Sequence, residues 1–539
     1  MSDETPVNGL IESLHNPSLY NHPVTGFELI ETHISWVILT GTFAYKIKKP
    51  VNYGFLDFST LDSRRHFCFR ELLLNKRLAE KLYVDVVTIT GSATSPQLGG
   101  DGEPIEYALR MRQFDQGDLF DRRQAGGQLT PPLLAALARK IADFHQRLPP
   151  LDDDSALGSG PEVFAAMAEN FDQIRPRLSD SDAIGRLDML ENWTRKQFEA
   201  HRERIDQRRR QGLVRECHGD LHLANITLFE GEVTIFDCIE FNDTFRWIDV
   251  VNDLAFLLMD LEFRGEESLA NLVLNSYLEY RDDYTGVTLL PLYKTYRAMV
   301  RAKVSILTLD NPALTAADRA RLWSAYQNYT ALAERYTRQT LPCLVATTGL
   351  SASGKSHVSA RLSGALGLIR LRSDVERKRL FGLAPLDSSD SAPGRDLYTP
   401  EASSRTYQRL ATIAGQLLAV GLSVIVDAAC LKQEERQLFA RVASRQGAPF
   451  ALVHCEAPES QRREWIRKRS GDPSEATEAL ITIQNSWFEP LTESESESVI
   501  TVRTARSQSL EQATQRVQRY LEIQRLEAHL ARNAGVTGA

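Results

Sequence analysis

The chain has 539 residues, of which 42% are hydrophobic and 25% charged, and its formal net charge is −8. This length predicts about two to four domains, and the balance is that of a soluble globular protein. The acidic charge argues against a nucleic-acid partner, and no apolar run is long enough to cross a membrane. The start of the chain lacks signal-peptide features and the six cysteines form no CxxC pair, so we expect a cytoplasmic protein.

The N-terminal region alternates strand-like and helical patterns. Residues 27–48 indicate paired strands that turn around 40–42, residues 61–82 an amphipathic helix, and residues 86–114 further strands. Lys46 and Lys48 are expected to point to the same face of their strand, since side chains alternate with a period of two.

The middle of the chain is predicted to be mainly helical. A helix is expected at 131–147, and a polar loop follows it. The basic stretch 194–212 is interpreted as a solvated helix rather than a nucleic-acid-binding one, because the chain around it is acidic. Two short β runs flank Gly231 and indicate a hairpin, and residues 247–336 are again largely helical.

The segment CHGDLHLAN carries the first candidate site. Asp220 and Asn225 have the D-x-x-x-x-N spacing of a kinase catalytic loop, in which the aspartate accepts a proton and the asparagine binds Mg²⁺. The hairpin after it would bring Asn225 and Asp237 together as two oxygen ligands for one metal ion. Glu240 follows as a further carboxylate expected near that metal.

The same segment contains two histidines, His218 and His222. We expect His218 to hold the loop by hydrogen bonds rather than to take part in chemistry. Asp253 is its predicted partner on the next helix, and Asp249 is expected to share that role. The sequence leaves both a structural and a functional role open for His222.

The segments CHGDLHLANITLF, VTIFDCIEFND and DVVNDLAFLLMDLE resemble the aminoglycoside phosphotransferase family over about 30–300. The resemblance implies a bilobal, protein-kinase-like fold in which Lys46, paired with Glu71, positions the phosphates of ATP; Lys48 is the alternative lysine. It also implies that strand 107–114 lies against adenine. The sequence has no G-x-G-x-x-G loop and no A-P-E-like segment, and the latter favours a small-molecule acceptor over a protein.

A second motif, GLSASGKS, begins at Gly349 after an apolar strand and leads into a helix pattern. Gly349 and Gly354 allow backbone N–H groups, that of Ser351 among them, to surround phosphate oxygens. Lys355 would reach the β- and γ-phosphates, and Ser356 would bind Mg²⁺.

Two aspartates follow at strand ends of this α/β region. Asp374 is interpreted as a general base or orienter for a substrate hydroxyl, with a helix N-cap as the alternative, and Arg377 would hold an anionic group. Asp427 ends an apolar strand and is expected to hold Mg²⁺. No glutamate follows Asp427, which favours phosphoryl transfer over ATP hydrolysis.

The segment REWIRKRSGDPSEAT contains Arg463, Arg467 and Arg469. These arginines are interpreted either as a solvated helix or as a lid that closes on the transferring phosphoryl group. Together with the motifs above, this segment resembles the small P-loop kinases, including gluconate kinase and zeta-toxin-like kinases, over about 342–505.

We therefore expect a kinase-like domain over 1–338 and a P-loop domain with a parallel α/β sandwich over 339–539. The predicted function is ATP- and Mg²⁺-dependent phosphorylation of a sugar, nucleoside or aminoglycoside-like molecule by two tandem modules. One alternative makes one module a catalytically silent ligand sensor that regulates the other. Another treats the P-loop module as a nucleotide-driven switch or a toxin-like kinase held in check by its neighbour. The oligomeric state is not predicted.

Overall fold

The computed structural model describes residues 4–54, 56–152, 154–338, 341–389, 397, 399–468, 471–505 and 508–536. The chain divides into two compact units. The first unit comprises 1–136 and 144–260, and the second comprises 137–143 and 261–539. Each unit combines helices with its own principal sheet, which confirms the predicted two-domain α/β fold class.

The first unit contains a six-stranded antiparallel sheet in the order β1–β2–β3–β6–β4–β5. The turn predicted around 40–42 joins β2 to β3, which pair from Leu39 opposite Ala44 onward. Apolar side chains of β2, β3, β4 and β6 pack with those of the first helix in one buried cluster. The strands are β1 Glu28–Glu31, β2 Ser35–Leu39, β3 Phe43–Lys48, β4 Tyr83–Ser92, β5 Ser95–Leu98 and β6 Glu106–Arg112.

Over the described residues, four short strands and eight α-helices complete this part of the chain. The short strands are β7 Val214–Glu216, β8 Ile226–Phe229, β9 Glu232–Ile235 and β10 Trp247–Asp249. Between β8 and β9, Glu230 and Gly231 both have positive φ, of +53° and +78°, as a two-residue hairpin turn requires. The helices are α1 Glu4–Ser13, α2 Leu61–Ala79, α3 Phe120–Ala125, α4 Pro131–Arg147, α5 Gly160–Ile174, α6 Ser181–Arg210, α7 Asp243–Arg246 and α8 Val250–Phe263.

The second unit is built on a five-stranded parallel sheet in the order β12–β13–β11–β14–β15. All residues of the central strand β11 are buried, as expected for a parallel sheet covered on both faces. The strands are β11 Leu344–Thr348, β12 Ile369–Arg372, β13 Val424–Asp427, β14 Phe450–Glu456 and β15 Val499–Arg503. The helices are α9 Glu267–Arg281, α10 Leu290–Thr308, α11 Ala316–Thr337, α12 Lys355–Leu366, α13 Ser373–Leu380, α14 Pro400–Ala419, α15 Gln433–Arg445, α16 Glu459–Lys468, α17 Glu478–Asn485 and α18 Gln508–Val536.

The division into compact units does not follow the order of the two sequence regions. Helices α9 to α11 precede the P-loop strand in sequence, yet they belong to the compact unit that contains the parallel sheet. The domain boundary at 338/339 stays a prediction. All six cysteines are buried free thiols. Among the described residues, no helix combines the length and apolar character that crossing a membrane requires.

Candidate active sites

The loop at 217–225 is anchored by the buried carboxylate of Asp253. The backbone N–H groups of His218 and Gly219 donate to its two oxygens at 3.2 and 2.8 Å, and His145 Nε2 lies 3.0 Å from Oδ2. Gly219 has a φ of +86°, and a Cβ there would lie 2.8 Å from a neighbouring backbone oxygen. Asp253 is thus the partner predicted for His218, but it binds the main chain rather than the ring.

The ring of His218 makes separate hydrogen bonds. Its Nε2 lies 2.8 Å from the carbonyl oxygen of Phe236, and its Nδ1 lies 3.3 Å from the backbone nitrogen of Asp220. Burial lowers the pKa of His218, so the neutral ring donates from Nε2 and accepts at Nδ1. The prediction that Asp249 shares the role of Asp253 is wrong, because Asp249 pairs with Arg208 Nε at 2.6 Å.

Asp220 and Asn225 lie side by side at the end of this loop. Asn225 Nδ2 donates to the backbone oxygen and to Oδ2 of Asp220, both at 3.0 Å. Because the amide nitrogen faces Asp220, Oδ1 is the atom with which Asn225 would bind a metal ion. His222 Nε2 is 3.2 Å from Asp220 Oδ2, which ties the third polar residue of the loop to the same carboxylate.

Two lysines of β3 meet three carboxylates in the first unit. Lys46 Nζ is 2.8 Å from Glu71 Oε1 and 2.5 Å from Asp237 Oδ1. Lys48 Nζ is 2.7 Å from Glu71 Oε2 and also pairs with Glu240. Lys48 is 1% exposed, whereas Asp237 is 41% exposed. Glu240 was expected near the metal, but it forms a buried ion pair with Lys48. Lys46 is the lysine that pairs with Asp237, the predicted metal ligand.

The charges of this network favour a cation. Burial alone would lower the pKa of Lys46, but Asp237 and Glu71 raise it well above its usual value. Burial would raise the pKa of Glu71, yet the two lysines leave it below its usual value. With two ammonium groups against three carboxylates, the charged network has a formal charge of −1, which favours a divalent cation.

The backbone of Asp237 is held in an uncommon conformation. Its φ is +61°, in the left-handed region that aspartate tolerates better than most residues. The Asp237 N–H donates to Tyr83 Oη at 3.1 Å, and the Cys238 N–H donates to Asn75 Oδ1 at 2.8 Å. Side chains of β4 and α2 thus fix the main chain where Asp237 leaves the hairpin.

In the second unit, β11 runs through the GLSASGKS loop into α12. Gly349 has a φ of +141°, and a Cβ there would lie 2.4 Å from the carbonyl oxygen of Cys455. Gly354, at +85°, precedes the helix, so both glycines are required by the backbone. The N-terminus of α12, which starts at Lys355, therefore directly follows the loop, as in a helix N-terminal phosphate site.

Ser356 and Asp427 form the predicted Mg²⁺ pair. Ser356 Oγ donates to Asp427 Oδ1 at 3.3 Å. Asp427 Oδ2 is buried, and no donor among the described residues makes a hydrogen bond to it. A hard cation, which prefers oxygen ligands, would compensate the buried Oδ2 of Asp427, so Ser356 and Asp427 fit Mg²⁺. Lys355 Nζ donates to the carbonyl oxygen of Leu350 at 2.8 Å, within its own loop.

A cavity of about 880 Å³ opens beside the P-loop. Asp374 and Arg377 line it with Lys355 and Asp427. Asp374 lies in the first turn of α13 rather than at its N-cap, and Arg377 Nη1 is 3.0 Å from Asp374 Oδ1. Asp374 is thus positioned by its neighbour one turn later, not by helix capping.

The predicted lid arginines are only partly described. Arg467 is 66% exposed and pairs with Glu478 at 2.7 Å, and it does not line the described cavity. Arg469 lies outside the described residues. Helix α17, which follows this segment, contributes Gln484, whose Oε1 accepts the Ser351 N–H at 2.7 Å. Sequence reasoning missed Gln484, since no spacing marks it.

Arg372 is a second residue that sequence reasoning missed. It ends β12, lines the cavity, and lies with Nε 3.6 Å from Asp427 Oδ2. The position itself is a signal, because ligands of open parallel sheets bind at the carboxyl ends of the strands.

Comparison with known families agrees with these two sites. Residues 68–290 match the model of the "Phosphotransferase enzyme family", and residues 344–491 match that of an "AAA domain". The chain joins a phosphotransferase-family domain to a P-loop AAA domain. The resemblances drawn from the sequence are thereby confirmed. The phosphotransferase-family match contains Glu71, Asp220 and Asp237, whereas Lys46 precedes it.

Relatives and solved structures extend the comparison. Uncharacterized proteins of Mycobacterium tuberculosis and Mycobacterium bovis are each 29% identical over 483 residues, covering 86% of this chain and 92% of the relative. A choline/ethanolamine kinase family protein from Mesorhizobium loti is 14% identical, with 61% of this chain and 98% of that chain covered and a TM-score of 0.38. An unliganded sugar kinase from Janibacter sp. is 21% identical, with 34% and 95% covered and a TM-score of 0.27.

Proposed function

We propose that the chain is an ATP- and Mg²⁺-dependent phosphotransferase with two kinase-type sites that act on hydroxyl groups of small molecules. One observation carries this proposal: each domain sets oxygen ligands for a hard cation beside a phosphate-binding group. In the first site Asp237 pairs with Lys46, and the Asn225 main chain lies across the hairpin end, where its carbonyl oxygen accepts the Phe236 N–H at 2.9 Å. Ser356 and Asp427 accompany the P-loop in the second. The cavity beside the P-loop, of about 880 Å³, has the size of a small-molecule site.

In the first site, Asp220 takes the proton of the acceptor hydroxyl as the hydroxyl oxygen attacks the γ-phosphorus of ATP. The bond between that phosphorus and the β–γ bridging oxygen breaks, and ADP leaves. Lys46, held by Glu71 at 2.8 Å, orients the phosphates. His218 and Asp253 keep the base in place through the loop main chain.

In the P-loop site, Asp374 has the role of base or orienter for a second acceptor hydroxyl. Lys355 exchanges its bond to Leu350 for the β- and γ-phosphate oxygens. Arg467 and Arg469 are proposed to approach the phosphoryl group when the lid closes. In both sites Mg²⁺, held by the residues named above, neutralises charge on the phosphates.

The acceptor is proposed to be a sugar, nucleoside or aminoglycoside-like molecule, and the site of action the cytoplasm. Buried free thiols and the use of ATP support that location. A second candidate function, a P-loop switch without turnover, is favoured by one observation. Two phosphate-binding groups, the Ser351 N–H and Lys355 Nζ, are bonded within the protein.

The deciding experiment incubates the full-length protein with labelled ATP and a small-metabolite extract. We expect two ATP-dependent products, of which Asp220→Asn abolishes one and Lys355→Ala the other. If Lys355→Ala leaves both products intact while nucleotide still binds the P-loop, that domain is a sensor or switch. If neither change affects any product, the proposal is wrong.

A further inference from the structure

Helix α9 packs along β12, an edge strand of the parallel sheet. The side-chain amide of Asn275 makes hydrogen bonds to the main chain at β12, as a neighbouring strand would. Its Oδ1 accepts the Arg370 N–H at 2.7 Å, and its Nδ2 donates to the Leu368 oxygen at 3.1 Å. Asn271 Nδ2 donates to the same oxygen at 3.2 Å. In sequence, however, α9 lies within the segment that matches the phosphotransferase family. A helix of that segment is therefore bound specifically to the P-loop sheet.

The last turn of α9 brings a buried carboxylate to the end of β12. Glu279 Oε1 is 2.6 Å from Arg370 Nη2, and Glu279 Oε2 is 3.4 Å from Arg372 Nη1. Burial would raise the pKa of Glu279, but the two guanidinium groups leave it below its usual value. Glu279 is thus ionised, and one of its two carboxylate oxygens, Oε2, faces Arg372.

Arg372 is shared between three acidic residues. Besides Glu279, its Nη2 is 3.2 Å from Asp472 Oδ2, in the loop after α16, and its Nε is 3.6 Å from Asp427 Oδ2. Burial would lower the pKa of Arg372, but the carboxylates, Glu279 foremost, raise it well above its usual value. A permanent positive charge therefore lies between α9, the predicted metal ligand and the lid loop, on the wall of the cavity.

We propose that Glu279 is a positioning residue of the P-loop site, which holds the Arg372 guanidinium toward α9 and leaves Asp427 open to Mg²⁺. A guanidinium that moved fully onto Asp427 would compete with the metal ion for the same oxygen. The P-loop's metal requirement is therefore set by a helix from the phosphotransferase-matched segment. The inference rests on the proposed Mg²⁺–ATP site, and its test reads metal and nucleotide binding rather than phosphoryl transfer.

The test titrates Mg²⁺ against binding of a fluorescent ATP analogue to the full-length protein. The signal that disappears in Lys355→Ala is assigned to the P-loop. In Glu279→Gln, we expect the Mg²⁺ concentration for half-maximal binding to rise about tenfold, the scale of one lost charge pair. Glu279→Asp keeps the negative charge on a shorter side chain. Its Mg²⁺ concentration for half-maximal binding is expected to lie between those of the wild type and Glu279→Gln. It replaces Glu279→Gln if that variant fails to fold.

Two further variants separate positioning from stability. Asp282→Asn removes an acidic partner of Arg379 and Arg409 that follows α9, and it is expected to leave the Mg²⁺ requirement unchanged. In an Arg372→Met background, Glu279→Gln should no longer shift that requirement. The inference is overturned if Glu279→Gln and Asp282→Asn act alike, or if the Glu279→Gln shift persists without Arg372. A missing Lys355-dependent signal would overturn the proposed P-loop function as well, whereas a signal indifferent to Glu279 overturns this inference alone.

Discussion

In the proposed function, the first site and the P-loop site would present positive charge to phosphate in opposite ways. In the first site the cations are side chains already paired with carboxylates: Lys46 and Lys48 share Glu71 deep in the unit. In the P-loop site the main chain supplies the anion cradle, shaped by Gly349 and Gly354.

The difference teaches where stability and function are coupled. Removing a partner from the buried lysine network leaves a charge without compensation, so the same side chains maintain both fold and site. The P-loop is shaped instead by glycine backbone conformations and by a strand that is buried on both faces. Its side chains are thus expected to affect ligand binding with little effect on folding.

The largest expected effect breaks the buried network. Glu71→Gln leaves Lys46 and Lys48 without a shared carboxylate and is expected to cost about 3–5 kcal/mol of local stability. Hydrogen-exchange mass spectrometry of peptides covering β3 and α2 measures this. Lys49→Met, which removes a pair with the exposed Glu31, is the matched control and should change exchange little. Equal protection in both variants would mean that the network is not structural.

The second effect tests the opposite half of the comparison. Lys355→Ala removes the ammonium group that donates to the Leu350 oxygen within the P-loop, so we expect nucleotide affinity of the P-loop to fall about 100-fold. The melting temperature should stay within about 2 °C of the wild-type value. Calorimetry and equilibrium nucleotide binding on the same preparation provide both numbers. A large loss of melting temperature would show that the P-loop, too, depends on its charged side chains for folding.

The third effect is a pH dependence of the first unit. The pKa of His218 is lowered in the native state by burial, whereas the unfolded state keeps the ordinary value of about 6.5. Unfolded chains therefore bind a proton that native ones do not, and stability decreases as pH falls from about 6.5 toward the native pKa. The slope approaches about 1.4 kcal/mol per pH unit.

His218→Gln can still donate to the Phe236 oxygen but does not titrate, so it should flatten this dependence. Exchange of peptides covering 214–229, followed between pH 5 and pH 8 after correction for intrinsic rates, is the measurement. His33→Gln, at an exposed position, is the control and should leave the dependence as it is in the wild type. An unchanged slope in His218→Gln would assign the pH dependence to other groups.

The contrast between the sites also explains what could be predicted from the sequence. Motifs fixed by backbone geometry, such as GLSASGKS and the hairpin after Asn225, were located correctly because local spacing determines them. Contacts between distant segments are not encoded by local spacing; the Lys46–Glu71 pair was expected only from the family resemblance. The pairing of Glu240 with Lys48 and of Arg372 with Glu279 depends on how strands and helices pack, and no local pattern encodes it.

The smallest expected effect concerns Gln484. Its Oε1 accepts the Ser351 N–H at 2.7 Å, which is one of the amides that a phosphate oxygen would use. Gln484→Ala removes this competing acceptor, so nucleotide affinity of the P-loop should rise about threefold. The gain is smaller than the energy of one hydrogen bond, because water then accepts the Ser351 N–H in the free protein. Equilibrium binding of a fluorescent ATP analogue measures it, with Ser486→Ala, one residue beyond the C-terminus of α17, as the control. A decrease in affinity would mean that Gln484 contacts the bound nucleotide directly, and the main-chain cradle would then depend on a side chain of α17 just as the first site depends on Glu71.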